Sequence, residues 1–527
     1  MYKKLFYTGT KAILAGAFCA GMLASCHKDN NPSPSNPNDT SQLSASLAED
    51  SLKYLMYQIM QVTYGDGGRT GSTGLPTYFW YTSVPALDPF SSTYPNADTL
   101  LNVMKRYAIN PATSAPYDHY SFLDRNGTLT NKLMNGVSSR TFAATNSDFG
   151  LEYAPVLAAA NSNQVRLYVL YADKNSPAGK AGIDRGCEIT SVNGTTSFTN
   201  TSSSLSFVYN AILKSTSTVT LGIKRADNTT FTTTLNPVGY DINPVLFDTV
   251  YTANNNTKVG YFGLYTFASV INDKGQATFT KTALDKVFAR FASSGIKNLI
   301  VDLRYNGGGA TTTAEYLDSA IAPSSAAGKT MYTYKYNDKL TANLKATGLT
   351  ETVKFPVGTG GLALNNVFFI TSSNTASASE LTLNNLKPYV KVLLVGEKTY
   401  GKPVGFIDFN ISAYNPSGSK KYLADLYAIN FATHNAAGTG DYYTGIPVDK
   451  DAIDYVNVPW GSTVNDDNLK KIMNYINTGS FPTARAAQLS TETIGGLRTA
   501  IPNAKPLSSF NGMVDYRLSK EIGKRNF

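Results

Sequence analysis

The sequence has 527 residues, of which 42% are hydrophobic and 16% charged, with 34 Tyr and 25 Phe. Single cores rarely grow past about 250–300 residues, so this length points to several folded units, and the aromatic-rich composition excludes a wholly disordered chain. The formal net charge of +9 contains no Lys/Arg run that reads as a nucleic-acid groove.

In chain order, residues 1–25 read as an export signal: Lys3, Lys4 and Lys11 precede the apolar stretch 12–24, which is too short to be kept as a membrane span. Leu23-Ala24-Ser25-Cys26 resembles a bacterial lipoprotein processing box, which implies that Cys26 becomes the lipidated first residue. The same resemblance implies a place on the bacterial cell envelope, anchored by lipid in the outer membrane, with the face left open. Residues 26–41 are polar and rich in Pro and Asn, a tether with nothing to bury. Loss of the signal's three lysines takes the charge from +9 to +6. Only Cys187 then remains unmodified, which rules out an internal disulfide and marks this thiol as packing at the start of a buried strand.

Residues 42–135 show helical spacing at Leu43, Leu47, Leu52, Leu55, Met56 and Ile59, and again at Leu100, Leu101, Val103, Met104 and Tyr107. They predict a helical cap. Asp118, His119 and Tyr120 lack the spacing of a metal site. Residues 140–240 contain N-S-P-A-G-K-A-G-I-D-R-G-C-E-I-T-S-V-N-G-T (175–195) between predicted strands at 165–171 and 219–224, and resemble a PDZ domain. In that resemblance the loop around Gly150 and Leu151 is where a peptide carboxylate is received, the peptide adding as an extra strand.

From 241 to 478, helices alternate with buried strands, an α/β pattern. A strand is expected at 258–264; Leu284, Val287, Phe288 and Phe291 mark a helix stopped by Gly295; and N-L-I-V-D-L-R-Y-N-G-G-G (298–309) is a strand running into a glycine loop. The apolar run 367–370 leads through small polar residues to a helix at 378–386, placing Ser377 at a strand-to-helix turn. A second run at 392–395 leads to Gly401-Lys402-Pro403. A strand at 422–431 and an amphipathic helix at 466–476 follow, and 479–527 is a basic extension read as solvated surface.

Ser377 and Lys402 suggest a dyad. A hydroxyl becomes a useful nucleophile when a neighbouring base takes its proton, and a lysine serves only when neutral. Its pKa of about 10.4 must fall by roughly 2–3 units, which burial beside Val404 and Phe406 supplies. Unpaired N–H groups at the following helix start suit an oxyanion. His434 is the rival base, in a Gly-rich stretch with no orienting carboxylate evident. Glu380 reads as an acid in the first helical turn, and Asp302 with Arg304 as a structural pair beneath the glycine loop.

Three stretches, D-L-R-Y-N-G-G-G (302–309), T-A-S-A-S-E (375–380) and Y-G-K-P (400–403), resemble the C-terminal processing peptidases, or tail-specific proteases. The resemblance implies Ser377 as nucleophile, Lys402 as general base, and an oxyanion hole from Ala378 and Gly308. It also implies a crotonase- and ClpP-like βαβ spiral core, polypeptide substrates, and no metal or organic cofactor. Many members carry a glutamine four residues after the lysine, and here that position is Phe406. The other reading of the same residues is a noncatalytic peptide-binding lipoprotein.

Overall fold

Residues 45–65, 87–106, 114–138, 148–159, 162–415, 418–481 and 510–523 are described by the computed structural model. The expected export signal, Cys26 and the tether lie outside them.

The N-terminal region supplies helices α1 (Ala45–Thr63), α2 (Ala97–Lys105) and α3 (Thr128–Met134), with strand β1 (Phe122–Asp124) between the last two. The helical region expected here is present, and the short β1 within it joins the large sheet of the core, its Phe122 ring stacked 5.0 Å from that of Tyr427. Leu52, Met56, Met60, Leu100 and Met104 belong to the same apolar cluster as Phe262, Leu299 and Phe406, so this region has no separate core.

Next comes a five-stranded antiparallel meander: β2 (Leu151–Leu157), β3 (Val165–Ala172), β4 (Glu188–Val192), β5 (Val219–Lys224) and β6 (Thr230–Leu235), with helix α4 (Ser202–Tyr209) between β4 and β5. Alternating Val and Leu residues close a core of its own, which includes Cys187. Burial pushes that thiol's pKa up, away from reactivity. Asn228 turns the last hairpin at φ 70°.

The core from residue 245 onward is built on two sheets. The first contains β7 (Val245–Thr252), β8 (Lys258–Leu264), β9 (Asn298–Asp302), β13 (Asn366–Thr371), β14 (Val392–Gly396) and β17 (Lys450–Asp451), in the order β17-β14-β13-β9-β8-β7. All neighbours are parallel except β7 and β8. Its central strands are continuous apolar runs because both faces are covered, as parallel sheets require. Helices α5 (Phe279–Ser294), α6 (Thr311–Ile321), α7 (Ala378–Leu386) and α8 (Asp467–Thr478) complete the βαβ pattern, and α5 ends at Gly295 with φ 63°.

The second sheet contains β10 (Gly308–Ala310), β11 (Thr330–Tyr336), β12 (Thr352–Lys354), β15 (Val404–Tyr414), β16 (Lys420–Asn435) and β18 (Gly512–Asp515), in the order β10-β18-β15-β16-β11-β12, with β1 beside β16. The position of β18 differs from the expected solvated extension. Met513, Val514 and Asp515 are buried, and the strand lies between the glycine loop and the strand that follows Lys402. Helix α9 (Tyr516–Gly523) follows it, and Arg517 binds both Asp515 and Glu315.

Candidate active site

The serine turn comes first. Strand β13 ends at Thr371, and the chain reaches α7 through Ser377, which has φ 59° and ψ −109°. Such a backbone costs about 1–3 kcal/mol at a residue with a side chain, and it persists only where neighbours hold it. They do: Thr375 Oγ1 donates to the Leu303 carbonyl at 2.8 Å, the Ala376 N–H to the Asn306 carbonyl at 3.2 Å, and Ser379 Oγ to the same carbonyl at 3.0 Å. The turn is thereby laced to the loop between β9 and β10. The Ser377 hydroxyl points to the Val404 carbonyl at 3.5 Å.

Lys402 is fully buried just before β15. Its amine lies 4.3 Å from the centre of the Tyr120 ring and 4.0 Å from that of Phe406, and donates to the Asn511 carbonyl at 2.6 Å. Burial drives its pKa well below the ordinary lysine value, against the pull of Asp118 and Glu380. The amine is therefore held toward the neutral form that a general base requires.

Glu380 joins the two turns. Its Oε2 accepts the Ser377 and Lys402 amides at 2.8 Å each, and its Oε1 accepts Thr399 Oγ1 at 2.6 Å and the Gly401 amide at 2.7 Å. Burial raises its pKa while these four donors favour the carboxylate. Two amides on one oxygen bring the backbones of Ser377 and Lys402 together. Among the described residues, no hydrogen bond links their side chains: the hydroxyl faces Val404 and the amine faces Asn511.

The glycine loop forms the facing wall. Gly308 has φ 108°, and a Cβ there would lie 2.5 Å from the Gly512 carbonyl oxygen and 2.9 Å from the Ala378 nitrogen, so only glycine fits. The Ala378 N–H has no acceptor among the described residues, which leaves it available to an oxyanion. The Gly308 N–H, expected in the same role, donates to Asn306 Oδ1 at 2.9 Å. Beneath the loop, Arg304 binds Asp302, Asp454 and Asp466 at 2.8 Å each. Arg185, from the five-stranded unit, reaches the same Asp454 at 2.6 Å and lies over the Trp460 ring at 4.7 Å, so one carboxylate ties that unit to the loop.

Other expected positions fall elsewhere. His434 lies near the end of β16, where a Gly-rich loop was expected, and its Nε2 is 3.5 Å from Asp441; no contact joins it to Ser377 among the described residues. Gly150, at φ 72°, gives its N–H to Asp148, and Leu151 opens β2, the edge strand of its sheet. Cys26 lies outside the described residues. Sequence reasoning did not find Tyr120 or Asn511 as neighbours of the lysine. It placed Glu380 in the first helical turn but missed its second set of partners. The Ser377-x-x-Glu380 pattern was the available signal.

A strained serine at a helix start, a buried lysine on the adjoining turn and an unpaired N–H are residue types that serine-type hydrolysis uses. Residues 258–420 match the peptidase S41 family, so this part of the chain is similar to that family. A putative S41 protease from Bacteroides fragilis shares its fold with a TM-score of 0.55 at 21% identity, covering 80% of this chain and 97% of that one. The photosystem II D1 C-terminal processing protease aligns at 19% identity and a TM-score of 0.41, over 76% and 92% of the two chains. No curated protein matches the sequence.

Proposed function

We propose that the chain is a lipid-anchored serine endopeptidase of the cell envelope that cleaves polypeptides through Ser377 and Lys402. The burial of the Lys402 amine, with no carboxylate hydrogen-bonded to it among the described residues, carries this reading. Lys402 takes the Ser377 proton as Oγ attacks a peptide carbonyl, and the Ala378 N–H faces the resulting oxyanion. The lysine ammonium then protonates the leaving amine, and water attacks the acyl-enzyme by the same proton path. A substrate with a loose segment, near its C-terminus, pairs with the open edge of β2 in the PDZ-like unit.

Ser377→Ala and Lys402→Ala should each reduce cleavage of an unfolded polypeptide to background, and His434→Ala should leave it intact. Cleavage that survives both dyad substitutions rejects the mechanism. The parted side chains of Ser377 and Lys402 favour one second reading, a peptide binder without turnover. Peptide binding with no reaction of Ser377 toward a fluorophosphonate would select it.

A further inference from the structure

The amine of Lys402 lies where a buried base needs an acceptor, and the side chain four residues on, Phe406, has none to give. The acceptor that reaches it is a main-chain carbonyl 109 residues later. We propose that Asn511, through its backbone carbonyl, is the positioning residue that orients Lys402, so that β18 is a working part of the catalytic site. The proposal rests on the peptidase reading above.

Three observations support it. First, the contact is short, at 2.6 Å, and lies between two aromatic rings that leave the amine few other partners. A neutral amine has two protons and one lone pair. Donating one proton to Asn511 fixes rotation about Cε–Nζ and sets the direction of the lone pair that must accept the Ser377 proton. Once that proton has moved, the same carbonyl faces the ammonium, which has left water behind.

Second, the carbonyl is held firmly. The Gly512 N–H donates to the Gly307 carbonyl at 2.9 Å, and β18 pairs with both β10 and β15. Met513 and Val514 are wholly buried, and Asp515 is fastened by Tyr334 and Arg517. Third, glycine at 512 lets two aromatic rings pack directly against the strand. A Cβ there would meet the Phe510 ring at 2.3 Å and the Phe406 ring at 2.7 Å, so Phe406 fills the space beside the strand and leaves the polar contact to the backbone.

The test changes one atom in the full chain. The Asn511–Gly512 amide is replaced by an ester, made by joining a synthetic segment to the recombinant remainder, which weakens the Asn511 carbonyl as acceptor. An ester at Met513–Val514 is the control for loss of a ladder bond. The expected result at 511 is a fall in kcat of about fivefold or more with KM unchanged, the worth of one hydrogen bond of about 1 kcal/mol. The acidic limb of the pH profile should move to lower pH, because the ammonium loses its acceptor. Gly512→Ala, which displaces the strand, should lower kcat in the same way.

An unchanged kcat in the 511 ester, or an equal fall in the control, overturns the proposal. A rise in kcat overturns it too, and makes the strand a block on the lysine. If the chain cleaves nothing, titration of the Lys402 amine by carbon-13 NMR still reads the contact. A lower pKa in the 511 ester alone keeps the positioning role while the peptidase reading falls, and identical titrations reject it.

Discussion

Lys402 and Arg304 are both cations buried to the same depth, exposed by 0% and 1%, yet the fold treats them in opposite ways. Arg304 meets three carboxylates, which outweigh burial and hold its pKa well above the usual arginine value. Lys402 meets two aromatic rings and a neutral carbonyl, while the nearby Glu380 carboxylate takes its backbone N–H and leaves its amine alone. One site keeps a permanent charge that fixes a loop, and the other holds its amine toward the neutral form. Burial alone does not decide which; the distribution of acceptors does.

The comparison breaks most sharply if the lysine is replaced by a cation that cannot lose its proton. Lys402→Arg should lower kcat by about a thousandfold or more, the order of a lost general base, as measured by cleavage of an unfolded polypeptide. Arg304→Met leaves three acids around an empty position. It should cost about 3–5 kcal/mol of stability by denaturant unfolding, the range for a buried pair stripped of one partner.

Glu380→Gln tests the brace between the two turns. An amide turns its NH₂ either on the Ser377 and Lys402 N–H groups or on the Gly401 N–H, so kcat should fall by roughly 10–100-fold, with the serine and lysine still present. The smallest effect concerns pH. Between the depressed folded pKa of Lys402 and about 10.4, the unfolded chain binds the extra proton, so this lysine's contribution makes stability rise with pH across that window. Lys402→Met should therefore raise the melting temperature at pH 7 more than at pH 10. Activity of the unsubstituted chain should rise through the same depressed pKa and level off above it.

Much of this site was legible because its parts are local. A strand, a small-residue turn and a helix put Ser377 in place, and the glycine loop and the Gly401-Lys402-Pro403 turn have similar signatures. Asp302 and Arg304, two residues apart, were readable as a pair for the same reason. Glu380 was half visible: a helix-start acid is common, and nothing nearby announced that it would also bind the lysine turn. Asn511 and Tyr120 were invisible. A main-chain carbonyl has no side-chain signature, and both reach Lys402 across long stretches of chain. Within the helical N-terminal region, β1 left no signal, because three residues with one buried position carry too little periodicity to mark a strand.

The docking of the N-terminal region has a practical consequence. Gly65 bonds to Ile429 at 2.7 Å, Asn430 reaches back to Thr63, and the Tyr120 ring covers the lysine. A fragment trimmed to residues 241–478 would keep Ser377 and Lys402 and lose the ring that covers the amine. Water at the amine would restore ordinary basicity, so Lys402 of such a fragment would stay protonated at neutral pH.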